Sequence, residues 1–227
     1  MPRTLDPAAH ALKRDAFIDV AQRLIQTKGY QQLSVDEILA ELGASKGAFY
    51  HYFDSKEDLL AAVVDRIVDV ATATLAPIAA DPNLTAVEKL SDLFSSLARW
   101  KGERTDLMLE LVQVWFSDAN AVVRDRLRSG TQAGLTPLLA TIVGQGKAEG
   151  TFSVASPEHT AAVLVSMLLG TNEIASRLFL ARQAGAVSFQ DVECTFAAHA
   201  EAFERVLGLP AGSWPQLDPQ VMHFWFG

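Results

Sequence analysis

Apolar residues recur along this chain at intervals of three and four rather than two, and most of the runs open and close on residues that start and stop helices. From Asp6-Pro7 to Lys28, the positions Phe17, Val20, Ala21, Leu24 and Ile25 share one helical face, with Asp6 as cap, Pro7 at the first helical position and Gly29 as terminator. Ser34-Val35-Asp36-Glu37 reads as a capping box, followed by Ile38, Leu39 and Leu42 and a stop at Gly43. Ser45 to Phe53 predicts a third helix of about two turns with Phe49 and Phe53 facing inward. Ser55-Lys56-Glu57-Asp58 opens a fourth, whose stripe of Leu59, Leu60, Val63, Val64 and Ile67 runs to about Pro77. Thr85 to Glu88 is a second capping box before Leu90, Leu93, Phe94 and Leu97. Further helices are expected over 104–116, over 120–147 with an interruption at Pro137, and over 157–183, where Ala161 to Leu169 is apolar on every side and should be buried all round. A last one follows Ser188, with Val192, Phe196, His199, Phe203 and Val206 forming a bundle seam. No segment alternates convincingly as a strand, so the fold class is all-α. The tail from Leu209 to Gly227, with three prolines and the cluster His223-Phe224-Trp225-Phe226, yields no structural expectation.

Composition narrows the class. The chain has 227 residues, 49% of them hydrophobic and 20% charged, enough for a core and unlike a disordered or fibrous sequence. Its longest uncharged stretch, Ser129 to Gly146, carries Thr, Gln, Gly and Pro137 and makes a poor membrane span. The N-terminus lacks a signal-peptide pattern and Cys194 is the only cysteine, so a soluble cytoplasmic protein with no membrane partner is expected. The net charge of −8 opposes nucleic-acid binding by the chain as a whole. That acidity is unevenly spread: residues 1–56 hold 7 Lys/Arg against 7 Asp/Glu, leaving the first quarter neutral.

Two short helices around Gly43, the second beginning Ser45-Lys46-Gly47, form a helix-turn-helix pattern. Ser45, Lys46 and Gly47 permit close approach to a groove, and the small Ala44 and Ala48 suit thymine methyls. Tyr50, His51 and Tyr52 can donate to phosphates, Lys56 starts the next helix beside them, and Ser34 could reach the facing backbone. Gly43-Ala44-Ser45-Lys46-Gly47 also fits the G-x-S-x-G of a hydrolase, with Ser45 as nucleophile. That motif needs a strand before the serine, and here a capped helix precedes it. The five histidines show no metal-ligand spacing, and no cofactor motif is present, so neither a metal nor a cofactor is expected.

At the run from Gly43 to Leu59, and over residues 10–70 more broadly, the sequence resembles the TetR family of transcriptional regulators. The resemblance implies a homodimeric DNA-binding protein, usually a repressor, released from a palindromic double-stranded operator by a small-molecule effector. It also implies phosphate contacts from Lys46, Tyr50, Tyr52 and Lys56, and base contacts near Ala44, Ser45 and Gly47. Asp54 departs from the usual basic or neutral residue. The expected organisation is a helix-turn-helix domain over 1–58, an effector and dimer domain over 59–208, and the tail 209–227. Effector-lining candidates are Phe94, Trp100, Met108, Glu110, Trp115, Phe116, Met167, Asn172, Glu173 and Arg177, because bundles hold ligands between helices. The dimer seam is expected at Val192, Phe196, His199 and Phe203. A ligand-independent regulator, or a helical sensor or adaptor that no longer binds DNA, fits the same pattern.

Overall fold

The computed structural model describes residues 7–115, 121–215 and 218–227. Among these are ten helices and no strand: α1 (Pro7–Lys28), α2 (Val35–Leu42), α3 (Lys46–Tyr50), α4 (Lys56–Ala80), α5 (Ala86–Gly102), α6 (Thr105–Trp115), α7 (Ala121–Ala148), α8 (Pro157–Gln183), α9 (Phe189–Leu207) and α10 (Pro219–Phe226). Both capping boxes form: the Ser34 and Thr85 hydroxyls accept the amides of Glu37 and Glu88, whose carboxylates return to the cap. Ser188 does the same with Asp191 ahead of α9.

Contacts divide the chain into two compact units, one holding residues up to Val68 with Arg104–Leu127, the other Asp69–Glu103 with Arg128–Gly227. In the first, α1 packs against α2 and α6. Phe17 meets Phe49 at 5.8 Å and Phe53 at 6.0 Å between ring centroids, and Phe49 and Phe53 are sealed at 0% and 1% exposure. Burying each such ring contributes about 1.5–3 kcal/mol, which fixes the otherwise short α3 in place. The second unit has a core of Leu75, Leu90, Leu93, Leu139, Ile142, Phe152, Leu164, Phe203 and Trp214, among others. Buried Lys89 donates to the Ala79 carbonyl at 2.9 Å, satisfying an acceptor at the end of α4.

Several expectations are corrected. The third helix ends at Tyr50 rather than Phe53. The Tyr52 amide turns back to Phe49 at 2.9 Å, and Asp54 N and Asp58 N are taken by Asp58 and Ser55, which cap the next helix instead. Neither proline breaks its helix: α4 runs through Pro77 to Ala80, and α7 is unbroken at Pro137. Leu75 and Ala79 on either side of Pro77, and Leu135 and Leu139 on either side of Pro137, belong to one core, so burial holds both flanks despite the missing bond. Helix α8 is not buried all round. Ala161, Leu164 and Val165 are buried, whereas Val163, Ile174 and Leu180 are 49%, 36% and 38% exposed. The tail is ordered into α10, with Phe226 buried and Trp214 stacked on Phe203 at 4.4 Å.

Candidate nucleic-acid interface

Gly43 closes α2 in the left-handed region, φ 59°, a conformation that costs any side chain about 1–2 kcal/mol. The chain thereby turns at once into α3, whose cap is Ser45: its hydroxyl accepts the Ala48 amide at 3.2 Å and keeps its own proton to give. Phe49 points into the core, and the opposite side of the same turn presents exposed Ser45, Lys46, Gly47, Tyr50 and His51. A Cβ added at Gly47 would meet only the Ser45 hydroxyl, at 3.9 Å, so the backbone here is open to close approach. Ala44 and Ala48 are half-buried at the edges of this surface.

Lys46 is held by Asp36 of α2 at 3.1 Å in a pair whose side chains are 68% and 73% exposed, a contact worth little in water and easily exchanged for a phosphate. Lys56 is half-buried, its ammonium 4.3 Å over the Tyr30 ring; burial lowers its pKa and Glu57 partly offsets this. The Tyr30 phenol is pushed up to about 12, first by burial and then by the nearby Glu57 carboxylate. Tyr52 packs on Phe17 at 5.8 Å and on His10 at 4.6 Å and is half-buried. Ser34 is corrected: its one hydroxyl proton goes to Glu37 at 2.9 Å, leaving none for a phosphate. That carboxylate is held down to about 2, chiefly by Lys28 and then by Ser34. His10 lay outside the sequence signal, and only its contacts with Tyr52 and His51 bring it to this surface.

The effector candidates are divided between the two units. Met108, Glu110 and the backbone of Trp115 belong to the first unit, where Glu110 accepts the Tyr30 amide at 3.4 Å. Phe94, Trp100, Met167, Asn172, Glu173 and Arg177 belong to the second. There Phe94 lies against Trp214 at 4.9 Å, Trp100 is buried, and Glu173 pairs with Arg177 along α8 at 2.9 Å. Asn172 accepts the ammonium of half-buried Lys101 at 2.8 Å, and burial pulls that lysine down to about 8. Phe116 lies outside the described residues. For the dimer seam, Val192 and Phe203 are 0% and 2% exposed inside their own unit, so neither can reach a second copy; Phe196 and His199 are half-buried.

Residues 17–63 match the family model of the bacterial regulatory proteins of the tetR family. A TetR/AcrR-family transcriptional regulator from Thermobifida fusca, known from its crystal structure, is 30% identical over 70% of this chain and 83% of that one, with a TM-score of 0.50. The chain belongs to the TetR family. Its α2–α3 pair is the family's helix-turn-helix, and the Ser45 of the G-x-S-x-G match caps a helix preceded by a helix. The regulator EthR of Mycolicibacterium smegmatis is 40% identical over 53 residues, 23% of this chain and 24% of that protein. The chain matches between 20% and 40% of the length of such curated relatives, so this likeness is confined to the DNA-binding end. RolR in complex with resorcinol is 16% identical over 96% of this chain and 94% of that one, with a TM-score of 0.63, and shares the all-helical fold.

Proposed function

We propose that this TetR-family protein is a homodimeric, cytoplasmic repressor that binds a palindromic operator through α3 and is released by a small-molecule effector. The observation that carries DNA binding is the one-sided α3 turn: Phe49 anchors it in the core while Ser45, Lys46, Tyr50 and His51 stand exposed together. The neutral N-terminal quarter supports it, since the acidity lies elsewhere. Anisotropy of a labelled duplex taken from the DNA flanking the gene tests it. Lys46→Ala should lower the salt slope of binding by about one unit, as loss of one phosphate contact does, and an unchanged slope would contradict the role.

Dimerisation is supported by α8, where His159, Ala162, Val163, Ser166 and Met167 line an open, largely apolar depression around the exposed Val163. Among the described residues α8 is also the one helix long and apolar enough to span a bilayer. Its buried Ala161, Leu164 and Val165 on one side, and His159, Ser166 and Arg177 on the other, suit a helix between a core and a partner. Val163→Glu should convert dimer to monomer in sedimentation with little loss of helicity; a wild type that is monomeric at micromolar concentration refutes the dimer. Two-fold symmetry then sets the recognition helices about 34 Å apart, or a small multiple of that.

For release, α4 contributes residues 56–68 to the first unit and 69–80 to the second as one continuous helix, which suits it to act as a lever. A coupling of roughly 1–3 kcal/mol is typical, and linkage makes it reciprocal. Calorimetry of an effector with and without saturating operator checks this, and equal affinities would sink the lever.

A further inference from the structure

The N-terminal turn of α1 reaches the proposed DNA surface through a residue that the sequence pattern did not mark. The His10 ring lies 5.4 Å from the His51 ring and 4.6 Å from that of Tyr52, and His51 and Tyr52 are themselves 5.0 Å apart. Tyr52 is fixed from behind by Phe17, itself 3% exposed, so the two imidazoles rest on a platform tied to the core. Among the described residues neither imidazole makes a hydrogen bond or an ion pair, and both keep their N–H donors for a ligand. Taking the DNA-binding reading above as its basis, we infer that His10 and His51 form a paired-imidazole site that grips a single backbone phosphate.

The chemistry fits a phosphate better than a metal or a packing role. Two imidazoles set edge to face can both aim an N–H at an oxyanion between or above them, whereas protonating both without an anion places like charges side by side. A single phosphate offers acceptors to both rings and its charge offsets theirs. The charged groups around the pair are mostly engaged elsewhere. On α1, Arg14 lies over the Phe53 ring at 5.2 Å, and Lys13 stands exposed beside it. Lys46 of α3 is held by Asp36 of α2 at 3.1 Å. In the turn after α3, Tyr50 and Asp54 are exposed and the Asp54 amide is bonded to Asp58 of α4 at 3.3 Å. Among the described residues no carboxylate pairs with either ring.

Because a phosphate contact is independent of sequence, the test needs no known operator. Binding of a 30-bp fluorescent duplex from the DNA upstream of the gene is measured at pH 6 and pH 8 over a range of salt. Wild type should bind more tightly at pH 6. His10→Phe keeps a ring against Tyr52 and should leave the circular dichroism and melting temperature unchanged, yet weaken binding at pH 6 by about tenfold, the loss of one charge-assisted hydrogen bond. Its salt slope at pH 6 should fall by about one unit and most of the pH dependence should vanish. His10→Arg should restore tight binding and hold it at pH 8. If His10→Phe keeps both slopes of the wild type, His10 only packs and the inference is overturned while the DNA-binding reading stands. If wild type itself binds no duplex at 50 mM salt, the DNA-binding reading falls and the inference with it.

Discussion

Gly146 sits inside α7, where replacing glycine by alanine ordinarily gains about 1 kcal/mol from helix propensity. The structure predicts the opposite sign here. A Cβ at residue 146 would lie 2.7 Å from Cγ of Phe152 and nearer still to Cδ2 and Cε2 of the same ring, against an ordinary carbon contact of about 3.5–4.0 Å. The ring cannot simply retreat. Phe152 is 3% exposed in the core of the second unit, the amides of Thr151 and Phe152 both donate to the Gly146 carbonyl at 2.9 and 3.0 Å, and Ser153 N is held by Leu207 O at 2.8 Å. Forcing a methyl into such a site costs about 1–3 kcal/mol, and the fixed backbone puts this one at the upper end, so Gly146→Ala should lose about 1–2 kcal/mol after the propensity gain. Gly144, two residues earlier, is the internal control: its added Cβ would lie 4.0 Å from Pro157 Cβ, an ordinary contact, so Gly144→Ala should gain about 1 kcal/mol. Urea unfolding followed by circular dichroism reads both, and Phe152→Leu combined with Gly146→Ala should cost less than the two changes added separately. A Gly146→Ala protein as stable as wild type would refute the reasoning.

Other consequences follow from single contacts. Asp36→Asn removes the carboxylate that holds Lys46, so duplex affinity by anisotropy should rise several-fold with stability changed by no more than about 1 kcal/mol; unchanged affinity would count against Lys46 at the DNA. Lys101 is depressed from 10.5 to about 8 by burial, so the unfolded chain binds its proton more readily, and stability should rise between pH 8 and 10.5. Lys101→Met should therefore stabilise the protein at pH 7 by urea midpoint, with the advantage shrinking by pH 10; an advantage that grows with pH would refute the assignment. Trp214→Ala should cost about 3–5 kcal/mol, because it removes a buried ring stacked on Phe203 and opens a cavity beside Phe94.

Short-range determinants of this fold are legible in the sequence and long-range ones are not, for a physical reason. Ser34 with Glu37 and Thr85 with Glu88 are contacts within one turn, so four residues of sequence contain the whole cap. Gly43 is equally local, since its positive φ decides where α2 stops. The fate of Pro77 and Pro137 is not local. It depends on whether the helix on both sides of the proline faces one core, which only the packing of distant segments decides. Trp214 and Phe226 find partners in α5, α8 and α9, far away in the sequence and invisible to periodicity. At the candidate interface, residue types identified the surface, but the state of each donor did not follow from type. Ser34 gives its proton to its own cap, Lys56 lies over Tyr30, and His10 arrives by packing alone.

The apolar character of α8 on every side has a geometric explanation in two faces, one covered and one exposed. Eighteen residues make five turns of helix, so Phe179 lies on the same side as Ala161, and Arg182 on the same side as Leu164. Ala161 and Leu164 are buried against the core, while Phe179 meets Trp225 and Arg182 donates to the Phe226 carbonyl at 2.9 Å. Helix α10 thus carries the covered side of α8 onward towards its C-terminal end. His159, Val163, Ser166 and Ile174 mark the opposite, exposed side of the helix. The tail therefore completes the inner side of α8 without occupying the outer one. Had α10 lain across Val163 and Ile174, the exposed surface on which the proposed dimer rests would not exist. Because it lies opposite, intramolecular packing by the tail does not take up the residues through which the proposed dimer would form.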